Sequence, residues 1–329
     1  MDHRGDNTRR EVLTEAPTLG SFLTSMWMPA IERTIRFSTA AGYRGHIRNH
    51  LKPELGHLRL HELDGPVLNE FYAKLLAPPP IGRGLSPTTV RRIHATLHRA
   101  LRDAVRWGLV DVNAADQSDP PALRADALRE MRTWTGPQVA AFLQAVKSHR
   151  LYPLWRLFAM TGLRRGEGLG LRRSDLDLPS KRLVVRQTLI DVGGKCLTSK
   201  PKTKRGGRVV ALDEVTVRIL NAHLAATDRA DDAWLFTDRN GGHLNPGAVT
   251  REFVRLSTEA GLPRIRLHDL RHTHATLALE AGIHPKIVSE RLGHSTVAFT
   301  LDVYSHSLGH MQAAAAEKIA EVVQPRSTP

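Results

Sequence analysis

Apolar residues recur at helical spacing along most of this 329-residue chain, and only between Arg182 and Leu212 does the period shorten to that of strands. There the run RLVVRQTLI, the pair Gly193-Gly194, the short KCLTSK, the basic PKTKRGG and RVVAL read as three strands joined by two turns. The expected fold class is therefore mainly α with a small antiparallel β-sheet.

On the N-terminal side, Leu19, Phe22, Leu23, Met26 and Trp27 form a helical stripe with Thr18 placed as its N-cap. A second stripe runs Tyr43, Ile47, Leu51 and is expected to stop at Pro53 and Gly56, because proline cannot continue the hydrogen-bond ladder. Asp64 caps a third, with Pro66 in its first turn and Val67, Phe71 and Leu75 inside; the longest starts at Ser86-Pro87, carries Val90, His94, Leu97, Leu101 and Val105, and ends before Gly108. Four helices in roughly 90 residues make a small bundle. Residues 116–132, with Pro120-Pro121, interrupt the periodicity as a linker does. Beyond it Thr135-Gly-Pro-Gln138 is a capping-box pattern ahead of Val139, Phe142, Leu143 and Val146, and helical patterns return at 214–224, 246–260, 268–281, 285–292 and, Ala-rich, at 311–323. The expected division is an N-terminal extension at 1–17, a helical domain at 18–115, a linker at 116–132, a second domain at 133–310, and a C-terminal helix and tail at 311–329.

Charge narrows the partner. The chain holds 47 Lys and Arg against 33 Asp and Glu, a net +14, and the excess is uneven: 16 against 13 in residues 1–120, 31 against 20 thereafter. A polyanion is the expected partner, nucleic acid or an anionic membrane face. With 41% hydrophobic residues the chain has material for packed cores, so wholesale disorder is excluded. A single cysteine, Cys196, excludes an intramolecular disulfide and a cysteine-based zinc cluster and fits a reducing compartment. No run approaches the roughly 18–20 apolar residues that cross a bilayer, and the first residues lack a signal-peptide core. A soluble cytoplasmic protein is expected.

Four segments carry groups suited to a phosphodiester. In Thr161-Gly-Leu-Arg164-Arg-Gly-Glu167, Gly162 permits a sharp turn and Arg164 projects from a helix start, with Glu167 near enough to pair with an arginine or accept backbone N–H groups; a surface ion pair is the competing reading. Lys202, Lys204 and Arg205 sit on a turn between two strands, where a basic tip reaches a groove, or is simply solvated, and where a lysine can donate a proton to a leaving oxygen. His268 and Arg271, three apart on one helix face, address one substrate together. His268, His272 and His274 also raise a metal site, but the glutamate of a His-Glu-x-x-His pattern is missing and no Cys or carboxylate pair completes a ligand set. Last come His294, after a helix-ending glycine, and Tyr304 in a polar, histidine-flanked context. Two arginines can hold the non-bridging oxygens of a phosphate and stabilise the charge of a pentavalent transition state without metal, while Tyr304 attacks phosphorus with a histidine taking its proton. The phosphotyrosine so formed keeps the energy of the broken ester, consistent with the lack of a Walker A pattern.

In the order Arg, Lys, His-x-x-Arg, His, Tyr, and in the segments TGLRRGE, HDLRHTHATL and LGHSTVAFTLDVYSH, the chain resembles the tyrosine recombinases, the phage integrase family of site-specific DNA recombinases. The resemblance implies an N-terminal four-helix core-binding (SAM-like) domain plus an α+β catalytic domain, closing as a clamp on double-stranded recombination sites. It implies that Arg164 and Arg271 are the phosphate-clamping arginines, Glu167 the acid supporting the first, His268 the acid/base histidine, His294 the second phosphate-contacting histidine and Tyr304 the nucleophile. Lys202 resembles the lysine that protonates the 5′-oxygen, with Lys204 as the alternative. No cofactor and no metal are implied. The implied partners are a homo-tetramer on two DNA sites and accessory DNA-bending or directionality proteins; the segment 311–323 is the candidate for docking onto a neighbour. For the clamp, Arg44, Arg48, Arg91, Arg92 and Arg99 are the expected DNA contacts of the first domain, gathered on one face. Two departures are visible: fewer than about 20 residues precede the first helix, leaving little room for an arm-binding module, and Ala211 stands where relatives often have proline. The competing functions are a DNA-binding regulator that has lost cutting and a type IB topoisomerase.

Overall fold

Helices here start where a side chain can accept from the unpaired N–H groups of a first turn. In the computed structural model, which describes residues 16–122, 132–199, 207–227 and 230–294 with Thr296, Val297, Ala316, Ile319, Ala320 and Val323, Thr18 accepts from the Ser21 N–H, Asp64 from Val67 and Ser86 from Thr89. The chain divides into two compact units, Met1–Arg129 and Glu130–Pro329.

The first unit holds α1 (residues 19–32), α2 (residues 37–55), α3 (Gly65–Leu76) and α4 (Pro87–Arg106). Phe22, Leu23, Trp27, Leu68, Leu75, Leu97 and Leu101 are buried between them. The polar tip of Trp27 is satisfied within this core, its Nε1 donating to Asp103 Oδ2 at 2.8 Å. One expectation is corrected in part: α2 runs through Pro53 to Leu55 and ends at Gly56, the second of the two residues at which a stop was expected. The reason is a wider turn just before the proline. Ile47–Leu51 is π-helical and the Lys52 N–H reaches back to the Ile47 carbonyl, so the turn is already opened where the pyrrolidine ring would collide. The same device precedes Pro29, where Phe22–Trp27 is π-helical and the Met28 N–H bonds the Leu23 carbonyl.

The second unit opens with α5 (Gly136–Ala145), started by a reciprocal capping box between Thr135 and Gln138. Trp134, Phe142, Trp155 and Phe253 pack ring against ring beneath it. Then come α6 (Tyr152–Thr161), the short α7 (Arg165–Leu169), α8 (Glu214–Ala225), α9 (Pro246–Glu259), α10 (Asp269–Glu280) and α11 (Pro285–Leu292). The strands differ from the single sheet read from the sequence. β1 (Leu176–Asp177), β2 (Arg182–Val185) and β5 (Arg208–Ala211) form one antiparallel sheet in the order β1-β2-β5, while β3 (Thr188–Val192) and β4 (Lys195–Ser199) form a separate hairpin. The run RLVVRQTLI breaks because Arg186 Nη1 is drawn to Asp175 Oδ1 at 3.0 Å and Gln187 Nε2 to the Gly170 carbonyl at 2.8 Å. Gly193 and Gly194, both at positive φ, supply the two-residue turn of the hairpin. The helix expected at 311–323 falls largely outside the described residues. Among the described residues no helix is long and apolar enough to cross a membrane.

Candidate active site

Two helix C-termini meet side chains at the centre of the second unit. α6 ends at Gly162 (φ +63°) and α11 at Gly293 (φ +67°), both left-handed. The last carbonyls of a helix lack intrahelical donors and carry the negative end of its dipole, so a cation there contributes about 0.3–1 kcal/mol, more when partly buried. Arginines occupy these positions. Three successive carbonyls at the end of α11 each accept from a guanidinium of a different element: Arg291 O from Arg208 Nε of β5 at 2.7 Å, Leu292 O from Arg271 Nη2 of α10 at 2.7 Å, and Gly293 O from Arg164 Nη2, just before α7, at 3.1 Å. Arg271, only 3% exposed, also donates to Gly162 O at 2.8 Å and so joins the two helix ends. A Cβ on Gly162 would lie 2.5 Å from Leu292 Cδ2 and 2.9 Å from His274 Cδ2, so the position requires glycine for space as well as for φ.

Glu167 is the buried carboxylate of this cluster. It accepts from the Arg164 backbone N–H at 2.9 Å and Arg164 Nη1 at 2.7 Å, and from Arg208 Nη1 and Nη2 at 3.1 and 2.9 Å. Burial pushes its pKa up, but the bonds and charge of Arg208, with Arg164 beside it, outweigh that and hold it below the usual carboxylate value. The α6 end is held by two more groups: Arg291 Nη2 donates to Met160 O at 2.9 Å, and His274 Nδ1 lies 3.1 Å from Ala159 O. Because a carbonyl only accepts and the Arg291 Nε 3.2 Å from His274 Nε2 only donates, His274 must be the neutral Nδ1–H tautomer.

The histidines of the cleft are kept uncharged. Burial, then Arg271 and Arg164, lower His294 to about 3; burial and His268 lower His272 to about 4; burial and Arg291 lower His274 to about 4. His268, at the N-cap of α10, is lowered by desolvation and then by Arg271, with Asp269 opposing. Its ring meets that of His272 edge to face at 5.2 Å. His274 is turned to α6, so the three imidazoles of the metal reading do not converge, and among the described residues no group of three His, Cys, Asp or Glu is placed to hold a metal ion. Glu167 faces both Arg164 and Arg208, and Asp213 acts on Arg291, so four guanidiniums, with that of Arg271, gather here around few carboxylates among the described residues. A site with this balance attracts an anion and presents it with neutral N–H donors.

Residues 132–310 match the family model described as the phage integrase family, and residues 18–76 match that of the phage integrase N-terminal SAM-like domain. The chain belongs to the phage integrase family. A tyrosine recombinase XerC-like protein of Caldanaerobacter subterraneus is 27% identical over 93% of this chain and 83% of its own length. The integrase of Mycobacterium phage L5 is 28% identical over 95% and 82%. Among solved structures, the Tn1549 transposon integrase in complex with a circular intermediate DNA superposes with a TM-score of 0.76 at 21% identity, covering 92% of this chain and all of that one. A lambda integrase dimer bound to a core site gives 0.68 at 18%, covering 91% and 80%.

In this integrase-family chain, Arg164, Glu167, His268, Arg271 and His294 come together, whereas Lys202, Lys204, Arg205 and Tyr304 lie outside the described residues. Sequence reasoning missed Arg208, Arg291 and the roles of His272 and His274. A signal for Arg208 was present: alternation along RVVA puts it on the same side as the buried Val210, and an arginine on an inward face needs a carboxylate. In the first unit Arg91, Arg92 and Arg99 share a stripe of α4 with Arg102 and Arg106, of which Arg106 pairs with Asp103 at 3.1 Å while Asp103 also accepts from Trp27. Arg99 also lies over the Tyr43 ring at 5.7 Å. Arg44 is drawn instead to Glu32 at 2.7 Å, and Arg48 to Asn49 Oδ1 at 3.1 Å.

Proposed function

We propose that this chain is a site-specific DNA recombinase that cleaves and rejoins duplex DNA through a covalent 3′-phosphotyrosine, with neither metal nor nucleotide. The observation that carries this reading is the convergence of Arg271 and Arg164 on the end of α11 beside a buried, uncharged His294. The two guanidiniums grip the non-bridging oxygens of the scissile phosphate and stabilise the charge added in the pentavalent transition state. His294 contributes a neutral N–H bond. The Tyr304 oxygen attacks phosphorus as its proton passes to His268, whose lowered pKa leaves the imidazole able to accept it. The bond from phosphorus to the 5′-oxygen breaks, and that oxygen leaves with a proton from Lys202, or from its alternative Lys204. Rejoining is the reverse, with a 5′-hydroxyl of the partner strand attacking the phosphotyrosine.

We read the chain as a DNA clamp at 18–115, a linker at 116–132, a catalytic domain at 133–310 and a C-terminal segment at 311–329, a reading supported by the family matches over 18–76 and 132–310 and by a division into two units that falls within the linker. The arginine stripe of α4, with Arg44, Arg48, Lys204 and Arg205, contacts backbone phosphates and fixes register rather than reading bases. The relatives solved on DNA, among them a lambda integrase tetramer on a Holliday junction, support recombination-site DNA and a homo-tetramer as partners; accessory proteins setting direction and a cytoplasmic location complete the reading. A nicked suicide duplex carrying the cognate site tests the reading: wild type is expected to form a covalent adduct stable to denaturation and Tyr304→Phe none. A wild type that binds the site and forms no adduct is a regulator, and the recombinase reading then fails.

A further inference from the structure

A buried arginine outside the expected set of site residues links the two halves of the cleft. Arg208 is the first residue of β5, with its side chain 6% exposed, and its guanidinium meets both oxygens of Glu167 while its Nε meets the Arg291 carbonyl. Through Glu167 it reaches Arg164, whose backbone N–H and Nη1 bond the same carboxylate. Through the Arg291 carbonyl it reaches the end of α11, from which His294 follows three residues on. A lysine cannot replace it. One ammonium lacks the planar fork that serves two carboxylate oxygens and a third acceptor together.

We propose that Arg208 is a positioning residue for phosphoryl transfer: by bonding Glu167 and the Arg291 carbonyl at once, it sets Arg164 and His294 relative to each other. This rests on the recombinase reading above. Its consequence is geometric, since a displacement of about 1 Å in a group that grips a reacting phosphate costs on the order of 100-fold in rate. Removing Arg208 also leaves Glu167 buried with one cation instead of two. Its proton is then taken up at higher pH, and the neutral carboxyl holds Arg164 less well.

The test compares wild type, Arg208→Met, Arg208→Lys and the double variant Glu167→Gln/Arg208→Met. Each full-length protein is measured for single-turnover cleavage of the nicked suicide duplex between pH 5.5 and 9, for duplex affinity and for thermal unfolding. Arg208→Met is expected to cleave about 100-fold more slowly with affinity within about threefold, and its acid limb is expected to move to higher pH than that of wild type. Arg208→Lys, which keeps a charge, is expected to restore the acid limb but not the rate. The double variant, with no carboxylate to titrate, is expected to lose the shifted limb, and it carries the pH readout where Arg208→Met alone is too unstable. Cleavage by Arg208→Lys at the wild-type rate overturns the inference, because charge alone then suffices. So does an Arg208→Met rate within about threefold of wild type at every pH, or a fall in cleavage matched by the fall in affinity. In each of these cases the adduct formed by wild type leaves the recombinase reading standing; no adduct from wild type overturns both.

Discussion

Gly162 offers a sharp test of how the cleft is built, because its demands separate into a backbone part and a space part. A left-handed residue bearing a Cβ costs about 1–2 kcal/mol. At Gly162 the added methyl also meets Leu292 Cδ2 at 2.5 Å and His274 Cδ2 at 2.9 Å inside a closed core, and overpacking of that kind costs about 1–3 kcal/mol more. Gly162→Ala is therefore expected to lose roughly 2–5 kcal/mol. Gly261 is the control: it lies in the same unit at φ +67° just past α9, and its Cβ would meet nothing within 4 Å, so Gly261→Ala pays the backbone part alone, about 1–2 kcal/mol. In calorimetry of the full chain, 1 kcal/mol shifts the transition of a unit of this size by about 2–4 °C. The two variants are then expected to differ by several degrees. The function should divide further, because Gly162 O and Leu292 O are the two carbonyls that hold Arg271. Adduct formation by Gly162→Ala is expected to fall at temperatures where it remains folded, and by Gly261→Ala not to fall. Equal stability losses for both, or full cleavage by Gly162→Ala, would refute the argument that close packing at this helix end positions the arginine.

Arg271→Ala and Arg164→Ala are both expected to leave duplex affinity largely intact while cleavage drops by orders of magnitude, but only the first should also lose stability, about 1.5–3 kcal/mol or more, since Arg271 is buried and Arg164 side chain is 41% exposed; binding losses equal to cleavage losses would contradict this. For Glu167→Gln the sign follows from the lowered pKa: the ionised carboxylate stabilises the fold above the unfolded-state value near 4.3 and that contribution is lost as pH falls through the lower folded value. Denaturant unfolding should accordingly show the gap between wild type and variant narrowing below about pH 4, and a gap independent of pH counts against the assignment. In the DNA-free protein, ring resonances of His272, His274 and His294 should not titrate between pH 5 and 8, given values of about 4, 4 and 3; an inflection near 6.5 from any of them would contradict its buried, arginine-flanked setting. Lys202→Ala is expected to lose cleavage of an ordinary phosphodiester and regain it when the 5′-bridging oxygen is replaced by sulfur, which leaves without a proton; if Lys204→Ala behaves this way instead, the lysine is Lys204.

What the sequence determined alone was local. Thr18, Asp64, Ser86 and Thr135 each bond within three residues, and the αL glycines at 162 and 293 end helices whose stripes stop just before them, so caps and helix spans were legible from neighbours in the chain. The candidate arginines and histidines were legible for a different reason: their residue types and spacing match a family pattern, which states what a group is for without stating what holds it. The passage of α2 through Pro53 was not legible, because a π-turn is decided by how the bundle packs rather than by the proline itself. Nor was the splitting of RLVVRQTLI, which depends on Asp175 and Gly170 reaching Arg186 and Gln187. Only tertiary structure decided the support of the cleft. Arg208 and Glu167 stand 41 residues apart, Arg271 and Gly162 109, and Arg164 and Gly293 129. A buried guanidinium takes whatever acceptor the packing brings to it, and here packing brought the unpaired carbonyls of two helix ends, groups that every residue carries and that no sequence pattern distinguishes.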